Sequence, residues 1–206
     1  MSDTIRCDPV TTRTDRKAFL QLERQLYKND PFWVPPIWQV RKELVGFKPH
    51  PFYHDAEAQG FLVRRGDQVV GRVLAIINHA HNRRYSEKRG FFGFFECQRD
   101  LQASHALLSA ATEWLRDQGM TDVRGPVNPS LNYEVGLLVD GFDSPPTFLI
   151  PYNHAYYGEL IEAFGFSKVQ DLFSYEANVA ILNELDPKLM FVIEEATRRF
   201  DVHCRT

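Results

Sequence analysis

The sequence predicts an α/β (α+β) fold, with a mixed, mostly antiparallel sheet, helices on both faces and one parallel β-α-β crossover. Three observations predict it. Two runs rich in Val, Ile and Leu, 58–64 and 68–78, flank Arg65-Gly66-Asp67 and read as a hairpin. A third run, 90–97, carries Phe91, Phe92, Phe94 and Phe95 on both faces and so belongs inside a sheet. A capped amphipathic helix and a further strand-like run, 122–127, follow it, and such a crossover is right-handed and parallel.

Each element has its own signal. Residues 4–10 open as a strand. Thr12-x-x-Asp15 resembles a capping box with Asp in place of Glu, and Phe19, Leu22 and Leu26 then recur at helical spacing. Pro35-Pro36 suits a helix start, with Ile37, Val40 and Leu44 as its apolar stripe and Gly46 as its stop. Asp100 can cap the helix over 100–118, whose stripe is Leu107, Leu108, Ala111, Trp114 and Leu115, and Gly119 can end it. Asn153 can cap another helix, with Tyr157, Leu160, Ile161 and Phe164 inward and Gly165 past its end. Residues 167–180 read as one or two strands. Asp186-Pro187 opens a last helix with Leu189, Val192, Ile193, Ala196 and Phe200 inward and the pairs Glu194–Arg198 and Glu195–Arg199 along it. One domain is expected over 1–200, and 201–206 reads as the start of a further strand on a chain cut before its downstream segment.

Composition narrows the classes. Among 206 residues, 24 Lys and Arg against 27 Asp and Glu give a net charge of −3, which excludes a strongly basic nucleic-acid binder. Apolar residues at 44% suffice to fill a core. Three scattered cysteines give neither a disulfide framework nor a Cys-x-x-Cys metal spacing. The start has no apolar run, and the longest apolar stretch, 69–77, is broken by Arg72 and too short to span a membrane. A cytoplasmic protein without metal, nucleic-acid or membrane partners is the expectation.

Proline sets the candidate functional loops. Five of the 12 prolines lie in 31–51 and five in 126–151, and none lies between Phe52 and Gly125. These two stretches are expected as ordered irregular surface, where function commonly sits. The first also holds Phe32, Trp33, Trp38, Phe47, Phe52 and Tyr53, which either pack it onto the core or form a wall facing a substrate. In the second, Asn128, Ser130, Asn132 and Glu134 are a polar cluster that either caps the loop or binds a ligand. His50, His54, His79 and His81 match no metal motif, and Arg83, Arg84, Lys88 and Arg89 read as a basic hairpin tip.

The order and spacing of these pieces resemble the GCN5-related N-acetyltransferase (GNAT) superfamily over roughly residues 4–180. Gly66-Asp67-Gln68-Val69-Val70-Gly71-Arg72-Val73-Leu74 looks like its hairpin turn and following strand. Trp114-Leu115-Arg116-Asp117-Gln118-Gly119-Met120 looks like the end of its third helix. Leu160-Ile161-Glu162-Ala163-Phe164-Gly165-Phe166 looks like its late helix ending in Gly-Phe. Gly125-Pro126-Val127-Asn128, Gly136-Leu137-Leu138-Val139-Asp140-Gly141-Phe142 and Pro151-Tyr152-Asn153 resemble a GNAT-like branch with longer members.

The resemblance implies an N-acyltransferase that uses acetyl-CoA on an amine, either a small molecule or a protein N-terminus or lysine. It places the CoA pyrophosphate on Gln98, Arg99, Leu101 and Ala103, where the family pattern Gln/Arg-x-x-Gly-x-Gly/Ala has glycine at the position of Leu101. It makes Glu96 a candidate base, joined by Glu134, and Tyr156 or Tyr157 candidate acids for the leaving thiolate. Ile161 occupies the place, one turn before Gly165, of the family's usual tyrosine. Asn128 and Asn132 are candidate substrate-binding residues beside Glu96 at the strand ends. The alternative is a non-catalytic GNAT-like module that binds a small molecule or a partner chain, and Leu101 is the residue that separates the two.

Overall fold

A computed structural model describes residues 4–175, 178 and 186–200. The chain divides into two compact units, Met1–Lys168 and Val169–Thr206.

In the first unit a five-stranded sheet runs in the order β1 (Ile5–Pro9), β2 (Ala56–Arg65), β3 (Gln68–Asn78), β4 (Arg89–Cys97) and β5 (Asp122–Arg124). Neighbours are antiparallel except β4 and β5, which are parallel from Arg89 opposite Asp122 to Phe91 opposite Arg124. The hairpin and the parallel crossover are those the sequence predicts. Pairing with β4 ends at Arg124 rather than at residue 127, because Gly125-Pro126 follows and proline has no N–H to donate. The chain instead forms a small hairpin, β6 (Val127–Asn128) with β7 (Glu134–Val135).

Helices cover both faces of the sheet. On one face lies α1 (Arg13–Leu26), started by the Thr12–Asp15 capping box in full reciprocal form. Its Phe19 and Leu20 pack with Leu62, Leu74, Ile76, Phe91 and Phe94. On the other face lie α4 (Leu101–Asp117) and α5 (Tyr157–Phe164). Leu107, Leu108, Ala111 and Leu115 of α4 meet Val63, Val73, Phe92 and Phe95, together with Tyr157 and Leu160 of α5. Each fully buried leucine there contributes about 2 kcal/mol.

Several local expectations are corrected. The helix after Pro35-Pro36 is α2 (Trp38–Leu44), and it turns Arg41 inward while Ile37 and Val40 are exposed. A short helix, α3 (His79–Tyr85), capped by the Asn78 side chain, replaces the predicted hairpin tip. Within that tip Arg83 pairs with Asp55, and Arg89 pairs with Glu87 and Asp122. Asn153 does not cap α5. Its amide bridges the N–H and C=O of Leu138 at 2.7 and 3.2 Å, which ties down the second proline-rich segment. Gly165 ends α5 with φ +113°, as a left-handed cap should.

In the second unit α6 (Pro187–Phe200) begins after Asp186, whose carboxylate accepts from the Lys188 N–H. Arg198 and Arg199 both pair with Glu195. Its expected inward residues Leu189, Val192, Ile193 and Phe200 are exposed. Residues 167–175 form no strand with any of the described residues. The rest of 167–180, apart from residue 178, and the strand predicted over 201–206 lie outside the described residues.

Candidate active site

The site is built where β4 departs from regular pairing. The register with β3 shifts by one residue between Arg72 opposite Glu96 and Leu74 opposite Gly93, and Phe94 sits at φ +49°. The bulge reverses the face of everything after it. Phe91 and Phe94 therefore share the α1 face although they are an odd number apart, and Phe92 and Phe95 share the other. Glu96 thus lies on the Phe94 side with Arg72, and not with Phe92 as simple alternation from the sequence required.

Two glycines let the crossing chain approach β4. A Cβ on Gly93 would lie 1.7 Å from the Val127 carbonyl oxygen, and one on Gly125 would lie 2.4 Å from that of Phe92. The close approach lets the Asn128 side-chain oxygen, Oδ1, accept from the Phe94 N–H at 2.6 Å.

From there a buried polar network runs under the strand and returns to it. The Asn128 amide donates to Glu134 at 3.0 Å, and Arg41 reaches Glu134 at 3.5 Å and Glu23 at 3.0 Å. Arg72 donates to Glu23 at 2.8 Å and to the carbonyls of Phe19 and Phe94, and it lies 3.7 Å from Glu96. Tyr157 donates to Glu96 at 2.7 Å and accepts from the Cys97 N–H at 3.1 Å. Glu23, Arg41, Arg72 and Glu96 are all buried.

Three carboxylates share two guanidiniums, so one negative charge is left over. Burial alone would raise Glu23, but Arg41 and Arg72 outweigh it and hold its carboxyl below the ordinary range. Glu96 takes the deficit. Burial, reinforced by the charge of Glu23, raises it to about 7 against the pull of Arg72 and the Tyr157 hydrogen bond. A carboxyl poised there exchanges a proton readily at neutral pH.

The network floors a cleft with about 620 Å³ of empty space, counting its open mouth. Glu23, Arg41, Arg72, Glu96, Asn128 and Glu134 lie along its base. Trp33, Val34, Leu137, Pro146, Ile150 and Pro151 form apolar walls from both proline-rich segments. A second hollow, walled by Leu20, Pro35, Pro36 and Trp38, shares Glu23 and Arg41 with the first. In the first aromatic loop Trp38, Phe47 and Phe52 pack on the core, while Trp33 lines the cleft. Trp33 also begins a stack that continues through Tyr27 and His154 to Tyr156, with successive centroids 5.6, 4.3 and 5.2 Å apart.

The start of α4 is organised differently. Asp100 accepts from the N–H groups of Gln102 and Ala103 at 3.0 and 3.1 Å, and its other oxygen lies 2.6 Å from Arg65. Leu101 is exposed, Arg99 is exposed and paired with Glu159, and Ala103 is buried under the helix. Two of the N–H groups a pyrophosphate would use are held by a carboxylate that also brings a negative charge to the helix start, so this end of α4 does not fit that group.

No family model matches the chain. At the sequence level it is similar to "Bacterial ceramide synthase" of Caulobacter vibrioides (strain NA1000 / CB15N), 40% identical over 172 residues, covering 82% of this chain and 44% of the relative. It is also similar to "Protein YghO" of Escherichia coli (strain K12), 32% identical over 192 residues, covering 93% and 49%. The chain spans about half the length of these curated relatives. Among solved structures, a tandem GNAT protein from the clavulanic acid biosynthesis pathway matches with a TM-score of 0.53 at 17% identity, over 79% of this chain and 43% of that one. The fold is GNAT-like. An aminoglycoside acetyltransferase from an uncultured soil metagenomic sample, solved with sisomicin, has a TM-score of 0.50 at 11% identity, covering 85% of this chain and 95% of its own. AAC(6')-Iy, solved with the bisubstrate analogue CoA-S-monomethyl-acetylneamine, also has 0.50, at 13% identity over 85% and 99%.

Within this GNAT-like frame the predicted site residues separate into groups. Glu96, Glu134 and Asn128 come together at the cleft floor. Asn132 is exposed in the β6–β7 turn and is not among the residues lining the cleft. Tyr157 is fully buried behind Glu96, and burial with the Glu96 charge pushes its hydroxyl well up, so it stands as a partner of the carboxylate. Tyr156 donates to the Cys97 carbonyl at 2.8 Å, and burial raises it to about 12. Gln98 accepts from the Asp100 N–H through its backbone carbonyl. The sequence reading missed Glu23, Arg41 and Arg72. Two carried a signal: Glu23 stands one helical turn from Phe19 on the apolar stripe of α1, and Arg72 interrupts an otherwise apolar strand. Among the described residues no helix is long and apolar enough to cross a membrane, and no group of three or more metal-binding side chains converges.

Proposed function

We propose that this GNAT-like unit is an N-acyltransferase that joins an acyl group, delivered as a thioester, to the amine of a long-chain amino alcohol, with Glu96 as general base. The observation that carries the reading is Glu96 itself, buried at the floor of the cleft with its carboxyl raised to about 7. The relative named a bacterial ceramide synthase supports the acceptor class, because a ceramide is an N-acylated amino alcohol. So does the shape of the charge: an acidic floor under apolar walls suits an ammonium group on an apolar body.

The residues divide the chemistry. As the amine nitrogen forms its bond to the acyl carbon, the carbon–sulfur bond breaks and the electron pair leaves on sulfur. Glu96 accepts the proton that nitrogen loses, directly or through one water. Tyr157 and Arg72 hold the carboxylate in place, and its burial keeps it largely out of bulk water. Acetyl-CoA or a longer acyl-CoA is the donor the fold implies. Since the start of α4 does not fit a pyrophosphate, no step is assigned to that part of the donor.

A second reading, a non-catalytic module for a small molecule or a partner chain, is favoured by that same Asp100-filled helix end. The test is product formation. The purified protein is incubated with sphinganine and a palmitoyl thioester, and N-palmitoyl product is measured by mass spectrometry. Turnover that falls by about 10²–10⁴ in Glu96→Gln supports the enzyme. Absence of product, or equal turnover in the variant, contradicts it.

A further inference from the structure

Among the described residues on the cleft floor, Arg41 is the cation whose hydrogen-bonding capacity is largely unspent. A guanidinium has five N–H donors and no acceptor. Arg41 makes one bond of ordinary length, to Glu23 at 3.0 Å, and one long contact, to Glu134 at 3.5 Å. Its Nε is buried without a hydrogen-bond partner. Its side chain is only 9% exposed, and it borders both cavities. The contrast with Arg72 is direct, because that guanidinium is spent on Glu23 and on two backbone carbonyls. Leaving buried N–H donors unmet is costly, and an arginine kept this way fits a ligand that supplies the missing acceptor.

We propose that Arg41 determines acceptor specificity by donating to an oxygen on the carbon next to the one that bears the amine. The inference rests on the acyltransferase reading for its chemistry. Arg41 and Glu96 line the same cleft, so one acceptor can offer its amine to Glu96 and a neighbouring oxygen to Arg41. A donor-only group selects an acceptor atom and rejects a bare alkylamine, whose binding would strand the Arg41 donors a second time. Glu134, which accepts from Asn128 at 3.0 Å and from Arg41 at 3.5 Å through one oxygen, lines the same cleft and can accept a hydrogen bond from a hydroxyl held there.

Binding and turnover test the inference separately. By calorimetry at neutral pH, norleucinol should bind the wild-type protein at least about tenfold more tightly than hexylamine, the worth of one hydrogen bond to a charged group. In turnover with a palmitoyl thioester, sphinganine should exceed octadecylamine in kcat/KM by a similar factor. Arg41→Lys keeps the charge opposite Glu23 but loses the planar fork, and both ratios should fall towards one. Equal binding of the two amines by the wild type, or no binding of either, overturns the proposal even if the variant fails to fold. Unchanged ratios in a folded Arg41→Lys overturn it too. Discrimination in binding without any turnover keeps the Arg41 assignment and removes the acyltransferase reading.

Discussion

The two ends of one strand–helix junction treat charge in opposite ways. At the last turn of β4, Glu96 belongs to a buried group of three carboxylates and two guanidiniums, and the surplus negative charge keeps its proton exchangeable near pH 7. Four residues on, Asp100 meets one guanidinium and two helix N–H groups, and these partners outweigh burial and hold its carboxyl low. One carboxylate is under-supplied and poised to act. The other is fully supplied and closes the helix end it caps. Within this GNAT-like frame a raised carboxyl thus stands close to a helix start whose N–H donors are partly taken by the protein's own side chain.

Four substitutions probe that contrast, from the largest effect to the smallest. Glu96→Gln should lower turnover by about 10²–10⁴ and yet stabilise the fold above pH 7. The folded state keeps a proton on Glu96 up to about pH 7, whereas the unfolded chain releases it near 4.5, so wild-type stability falls as pH rises through that window. Glutamine is spared the loss. The gain at pH 8, read from thermal melting, should reach up to about 3 kcal/mol. Arg72→Met should act in the other direction. It strands Glu23 and the Phe19 and Phe94 carbonyls, and urea unfolding should show a loss of about 3–5 kcal/mol.

Asp100→Ser tests the closed end. Serine caps α4 equally well, so stability should change by less than about 1 kcal/mol. With the carboxylate gone, CoA measured by calorimetry should bind about tenfold more tightly than to the wild type. Unchanged affinity would show that Asp100 does not guard that helix end. The smallest effect belongs to Arg99→Ala. Its pair with Glu159 is exposed on both sides, and the shift in unfolding midpoint should correspond to less than about 1 kcal/mol.

The sheet was legible because its signals were local: Arg65-Gly66-Asp67 marks the hairpin, and the phenylalanine-rich run marks the inner strand β4. The gathering of Glu96, Asn128 and Glu134 in one cleft was legible from their positions at the strand ends. What supports them was not. Arg41 faces inward because Glu23 and Glu134 await it there, a tertiary reason that overrides the stripe of Ile37 and Val40 on a helix of seven residues. The bulge at Phe94 moved Glu96 to the opposite face from Phe92, and no period-two pattern records a single-residue slip. The helix stripe of α6 was legible as an apolar face, but periodicity does not say what covers that face, and in the structure it is exposed.

The central claim is that Glu96 serves as a base with a carboxyl tuned to neutrality. The pH dependence of kcat/KM for sphinganine with a palmitoyl thioester, measured in parallel for wild type and Glu96→Gln, tests it most directly. The wild-type rate should climb about tenfold per pH unit below about 7 and level off above, as the carboxyl loses its proton. The residual rate of the variant should show no bend there. A wild-type profile flat through pH 7, or the same bend in both proteins, would contradict the account.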